Sequence, residues 1–287
     1  MPRIFIAGCG FVGLATARLF HARGWEVIGG THSVESTARL AGEPFATVAV
    51  DISDASALAA QRSLRALDVV IHCASSGRGG ADAYRRVYLE GARHLATVLA
   101  PGLLIFTGST SVYAQTDGSW VTEESAAQPD RETGRLLRAA EDVVLAAGGI
   151  VTRLAGVYGP RRSVLLKKFL AGEAVIEGDG GRWINQIHRD DIASALLTLV
   201  EGGSRGLFNV CDDAPMTQLA IYTGLAGHFG CPLPPTGPIP TDRKRGWSSK
   251  RVSNARLRTA GWTPRYPTFF DAVAASGPEL AALPAEP

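Results

Sequence analysis

Short apolar runs alternate with longer stretches of helical period through the first half of the chain. The runs are RIFIAG (3–8), EVIGG (26–30), ATVAVD (46–51), LDVVIHCAS (67–75), GLLIFTGS (102–109) and IVTRLAG (150–156). Between them, Val12 to Arg23, Ala81 to Leu99 and RETGRLLRAAEDVV (131–144) place apolar residues three and four apart, as one buried helix face requires. Short β-branched runs separated by helices imply a mostly parallel sheet covered on both faces. The pattern predicts an α/β protein: a Rossmann-type doubly wound parallel sheet with a smaller C-terminal α/β substrate cap.

After Gly159-Pro160 the rhythm breaks. Residues 161–183 are basic and then glycine-rich, DIASALLTLVEG (191–202) restores one amphipathic helix, and the pieces from Gly206 onward are short. The expected division is a Rossmann-type sheet domain over 1–160, rejoined by about 184–205. A cap over 161–183 and 206–280 and a tail over 281–287 complete it. A cleft between the two parts is the default ligand site.

Bulk numbers narrow the function classes. The 287 residues can bury a sizeable core, and 46% hydrophobic with 20% charged residues is an ordinary globular composition. A net charge of +2 argues against a dedicated nucleic-acid binder. Cys9, Cys73, Cys211 and Cys231 are widely spaced, which suits thiols in a reducing compartment better than a disulfide framework or a metal site. The opening apolar stretch has the outline of a secretory signal, but Gly8, Gly10, Gly13 and Arg18 interrupt it. No segment reaches the roughly 20 apolar residues of a membrane span. The expectation is a cytoplasmic protein with a small-molecule substrate and neither a membrane nor a nucleic-acid partner.

AGCGFVG (7–13) is a GxGxxG turn directly after a strand and directly before a helix. Gly8 permits the tight turn, Gly10 lets a pyrophosphate approach the backbone, and Gly13 lets helix and strand pack closely. An acid at the end of the second strand would hold the ribose 2′-hydroxyl of NAD. Here that place holds Thr31, followed by His32 and Ser33, with Arg39 further on. These donors favour NADP(H), with NAD(H) possible.

The glycine loop and several later motifs together give a chain that resembles an extended short-chain dehydrogenase/reductase of the NAD-dependent epimerase/dehydratase family. The motifs are DISD (51–54), HCASS (72–76), TGSTSVYA (107–114), RLAGVYGP (153–160), NQIHRDDIASAL (185–196), GLFNVCDD (206–213) and SNARLRTAGWTPRYP (253–267). The resemblance implies further cofactor contacts from Phe11, Val12, Asp51, Ile52, Cys73, Ala74, Ser75, Leu154, Gly156 and Val157. It puts Ser109 at the catalytic Ser/Thr position. Members often pair through two helices, so a monomer or a homodimer is expected.

In the family a Tyr-x-x-x-Lys pair follows the serine, with a Glu four positions beyond the Lys. Ser109 and Glu141 fix that register and give Thr133 and Leu137 instead. Threonine is too weak an acid to exchange the substrate proton, and leucine carries no charge. Arg135 and Arg138 lie about 200° and 140° around the helix from Thr133, so neither shares its face. A substitute would have to come from elsewhere: Tyr113 or His188, more weakly Tyr158, Tyr84 or Tyr88. Tyr113 could equally be a packed aromatic, His188 a structural hydrogen-bond partner, and Asp190 or Asp191 a helix cap. The run Arg243, Lys244, Arg245, Lys250 and Arg251 could bind an anionic group or be a solvated loop. The missing pair, the short loop after VYGP and the KRVSNARL ending look most like the atypical YeeZ-type subgroup.

Two functions follow as expectations. One is an NADP(H)-dependent oxidoreductase, or an epimerase/dehydratase-like enzyme, with a non-standard proton donor. The other is a non-catalytic NAD(P)H-binding sensor or regulatory protein.

Overall fold

The structure, a computed structural model, describes residues 1–77, 79–240 and 247–281. Seven strands form its central sheet: β1 (Arg3–Ala7), β2 (Glu26–Thr31), β3 (Ala46–Ala49), β4 (Val69–His72), β5 (Leu103–Ser109), β6 (Ile150–Leu154) and β7 (Gly206–Val210). Their order is β7-β6-β5-β4-β1-β2-β3, and every pairing is parallel.

Alternation along each strand builds a core on each face. Ile4 and Ile6 face one side with Ile71 and Ile105, where the helices Phe11–Ala22 and Arg189–Glu201 supply Ala17, Phe20, Ile192 and Leu196. Phe5, Val70, Leu104 and Phe106 face the other side, covered by residues 81–99 and the helix Glu132–Ala146 through Leu89, Leu95, Leu137 and Ala140. The chain reverses direction across the sheet between β1 and β4. That reversal opens a crevice at their C-terminal ends, the usual ligand position in open α/β sheets.

A third core carries the cap. Leu166 and Phe169 of the helix Val164–Leu170 pack with Ile221, Tyr222 and Leu225 of Gln218–Phe229 and with Phe269 and Val273 of Phe269–Ala281. Two expected boundaries shift. Residues 206–210, expected in the cap, instead form the edge strand β7, because Phe208 and Val210 complete the core beside β6. Of the tail expected over 281–287, Ala281 closes a helix whose Leu280 is fully buried, and the rest lies outside the described residues. Arg243, Lys244 and Arg245 of the basic run also lie outside them.

Candidate functional site

The glycine turn sits at the crevice. Gly8 has φ +99°, and a Cβ there would come within 2.3 Å of the Ala74 backbone nitrogen. A Cβ on Gly13 would lie 2.2 Å from the Gly8 carbonyl oxygen, so both positions exclude a side chain. Gly10 differs: nothing lies within 4 Å of its virtual Cβ. That open space faces the start of Phe11–Ala22, where the first-turn N–H groups lack helical partners. The cradle has the shape and donors a pyrophosphate needs.

Two adjoining cavities run from this turn. One, of about 270 Å³, is lined by Gly8, Thr31, His32, Asp51, Ile52, Ala74, Ser75 and Arg86 among others. The second, of about 550 Å³, is lined by Gly8, Gly10, Phe11, Val12, Thr31, His32, Arg39, Cys73, Ala74, Ser75, Leu154 and Val157, and also by Ser36, Tyr88 and Arg162. Gly13 packs behind the turn. Ser33 instead caps the short helix Val34–Ala38 by accepting from the Ser36 N–H at 3.2 Å. Gly156 is exposed in a strand pair with Gln186 and lines neither cavity.

Local chemistry sets the state of these groups. Burial pushes the Asp51 carboxyl up, but hydrogen bonds from the Ser53 hydroxyl (2.7 Å) and N–H (2.8 Å) outweigh it and hold the group below its ordinary value. Thr31 Oγ1 donates to the Ser33 carbonyl at 3.0 Å and lies 2.6 Å from Thr37 Oγ1. Arg39 pairs with the exposed Glu35 at 2.9 Å. Burial pushes the Cys9 and Cys73 thiols up to about 12, which makes both poor nucleophiles. Arg86, Ser36 and Arg162 carry no motif signal; they reach the crevice only through the packing of their elements.

A third cavity, of about 250 Å³, opens at the start of Glu132–Ala146. Thr133 and Leu137 line it together with Tyr84, Ser111, Trp247 and Ser248. The ring of Tyr84, which lines this cavity, lies 4.9 Å from that of Tyr88, which lines the crevice. Ser109, at the end of β5, is half-buried, and its Oγ accepts from the Ser111 N–H at 3.2 Å to cap the turn Thr110–Val112. Ser111, two residues on, faces the cavity. Its place was legible in TGSTSVYA only as a neighbour of Ser109.

The two leading substitutes for the missing tyrosine point away. Tyr113 is buried, and its hydroxyl lies 2.9 Å from both the Thr122 carbonyl and Asn209 Oδ1, with the Arg153 guanidinium 4.6 Å from its ring centre. Although its residue borders the third cavity, its phenol is committed to the core, and burial raises its pKa further. His188 is buried between the rings of Tyr158 and Tyr266, at 5.3 and 4.5 Å. Its Nδ1 accepts from the Asp190 N–H at 3.2 Å, so His188 is itself the cap of Arg189–Glu201. Asp190 and Asp191, expected as the cap, lie in the first turn. Asp191 instead accepts from the N–H groups of Arg265 (2.6 Å) and Tyr266 (3.1 Å). Burial pushes the His188 imidazole down to about 4, leaving it neutral.

Glu141, which fixes the helix register, is fully buried and accepts from Arg153 Nη2 at 2.7 Å and Nε at 3.0 Å, as well as from Arg138. The basic run divides. Arg251 stacks between Trp120 and Trp183, at 5.2 and 4.9 Å, and donates to the Gly118 carbonyl. Lys250 is buried rather than solvated. Among the described residues no three potential metal ligands come together, and no helix is long and apolar enough to cross a membrane.

A parallel sheet that reverses at a glycine turn, with a groove on both sides of it, defines a dinucleotide-binding protein of the Rossmann class. The chain belongs to the NAD dependent epimerase/dehydratase family, whose profile matches residues 4–211. Membership makes it an NAD(P)-binding, oxidoreductase-like protein. It is similar to protein YeeZ of Escherichia coli (strain K12), 29% identical over 246 residues that cover 82% of this chain and 86% of that protein. A 3-diazoavenalumate denitrifying reductase of a Streptomyces species is 27% identical, with coverage of 94% and 98% respectively. Among solved structures, a provisionally assigned NAD-dependent epimerase/dehydratase from Methylobacillus flagellatus superposes with TM-score 0.78 at 28% identity, covering 98% of each chain.

Proposed function

We propose that the chain is an NADP(H)-dependent oxidoreductase, or an epimerase/dehydratase-like enzyme with transient hydride transfer, acting on a small polar substrate. The observation that carries this reading is the Tyr84–Tyr88 ring contact, which sets the cavity at Thr133 and Leu137 beside the crevice. A nicotinamide cofactor supplies or accepts the hydride, chemistry that side chains lack.

The chain's own residues hold and orient. The Gly8–Val12 turn and the helix start receive the pyrophosphate. Asp51, Ile52 and Ser53 flank the adenosine end of the crevice. Thr31, His32, Ser36 and Arg39 receive a 2′-phosphate, which no carboxylate at the end of β2 repels. The exposed Arg39–Glu35 pair is worth only about 0.5 kcal/mol, so a phosphate dianion can displace Glu35. In the cavity, Ser111 presents its hydroxyl to the substrate oxygen, Ser109 holds the turn that carries it, and Leu137 and Tyr84 give apolar walls. Its 250 Å³ falls below the roughly 300–1,000 Å³ of sites for drug-sized ligands, which favours a small substrate. The reductase name of the Streptomyces relative supports the reductive direction.

The test is NADPH consumption, or NADP⁺ reduction, with a panel of sugars, ketones and lactones. Turnover that drops about 10²-fold in Ser109→Ala or Ser111→Ala is expected. Tight cofactor binding without turnover of any compound would instead mark a cofactor-binding sensor.

A further inference from the structure

Removing the family's Tyr-Lys pair leaves the cavity without an obvious proton source, but a lysine from another part of the chain lies directly behind its wall. Lys250 Nζ donates to Ser248 Oγ at 3.1 Å and to the Tyr113 carbonyl at 3.0 Å. Ser248 lines the cavity beside Ser111 and Thr133. Lys250 is only 4% exposed, and among the described residues no carboxylate pairs with it. Its position is enforced: Asn185 donates to the Lys250 carbonyl at 2.9 Å and accepts from the Val252 N–H at 2.7 Å, clamping this stretch from the link between Trp183–Ile184 and Gln186–His188.

Burying an ammonium without a counter-ion is costly, and a lysine serving only to anchor the Tyr113 carbonyl is replaceable by a neutral donor. We infer that Ser248 and Lys250 form the proton-exchanging pair of the cavity, with Ser248 touching the substrate and Lys250 positioned behind it. This deepens the enzyme reading and rests on it for the identity of the step.

A nicotinamide cofactor would supply the hydride to the carbonyl carbon when a substrate carbonyl is reduced. Ser248, alone as weak an acid as a threonine, passes its proton to the carbonyl oxygen only as the Lys250 ammonium replaces it in the same step, so the lysine is the acid and the serine its relay. The neutral amine is then reprotonated by water. Oxidation runs the same transfers backward. The charges around Nζ suit this role. Arg182, next to Trp183 in sequence, opposes the ammonium, while Arg251 is held in its tryptophan stack and Arg153 lies across the Tyr113 ring. Burial first, and Arg182 second, push the Lys250 amine down to about 8, within reach of proton exchange near neutral pH.

The chain's lysines are Lys167, Lys168, Lys244 and Lys250, few enough to follow one by one by isotope-labelled lysine NMR on the full chain. Lys250→Arg assigns the signal. The expected midpoint for Lys250 is about 8, well below the other lysines, and lower still in Ser248→Ala, which removes an acceptor from the ammonium. A midpoint in the ordinary lysine range, or one indifferent to Ser248→Ala, would overturn the pair. On a turned-over substrate, Ser248→Ala should lower kcat about 10²-fold with KM little changed. Lys250→Arg should move the alkaline limb of the pH profile upward by at least about one unit. An unmoved pH profile in Lys250→Arg overturns the pair while leaving the enzyme reading intact. A depressed, Ser248-dependent midpoint with no turnover keeps the pair and rejects the enzyme reading.

Discussion

Asp212 shows how a single side chain in the cap binds pH to stability. It is 3% exposed beside Asp213, Asp191 and Asp271, and burial, reinforced by those charges, pushes its carboxyl up to about 8. An unfolded aspartate releases its proton near about 3.9. The folded chain therefore binds more protons between those values, and stability falls as pH rises through that window. Asp212→Asn, which keeps a neutral side chain of the same shape, is expected to melt above the wild type at alkaline pH. The gap should widen by as much as about 1.4 kcal/mol per unit as pH rises toward about 8 and level off above it. Thermal melts of both proteins at several pH values check this, and a gap independent of pH would refute it. Nothing in CDDAP announces a neutral aspartate, because the three acids that crowd Asp212 include two from distant segments. The opposite holds for Gly8 and Gly13, whose reasons lie within a few residues and are legible in the motif itself.

At the scale of elements, the helix Glu132–Ala146 is fastened to β6 by a buried ion pair, Glu141 with Arg153. Glu141→Ala would strand the Arg153 guanidinium in the core and is expected to cost about 3–5 kcal/mol. Arg138→Ala removes a partly exposed partner of the same carboxylate and is expected to cost about 1 kcal/mol or less. Urea unfolding of the two variants separates them, and equal losses would mean that Arg153 does not depend on Glu141. The helix and its register were readable from RETGRLLRAAEDVV, and so is the i,i+3 neighbour Arg138 of Glu141, but its cross-element partner Arg153 is not. Strand β7 was misplaced for a similar reason. GLFNV lies beyond an irregular stretch, and only pairing with β6 returns it to the main sheet.

Across the whole molecule, the cofactor half was the legible half. Its contacts follow local rules: a strand, a glycine turn, a helix start, and the residue ending the second strand. The proposed substrate side draws on Ser111, Thr133 and Ser248, with Lys250 behind Ser248, which the chain brings together across more than a hundred residues of sequence. A basic run such as RKRGWSSKR gives no sign of which of its charges the fold will bury. What distinguishes the molecule is a crevice at the glycine turn with no acid at the end of β2, beside a cavity whose helix carries Thr133 and Leu137 in place of the family's proton-transfer pair. Calorimetric titration of the full chain with NADPH and with NADH tests this most directly, repeated on Thr31→Asp. The expected result is tighter binding of NADPH by the wild type and a shift toward NADH in the variant. Tighter NADH binding by the wild type, or no binding of either cofactor, would contradict an NADP(H)-dependent oxidoreductase.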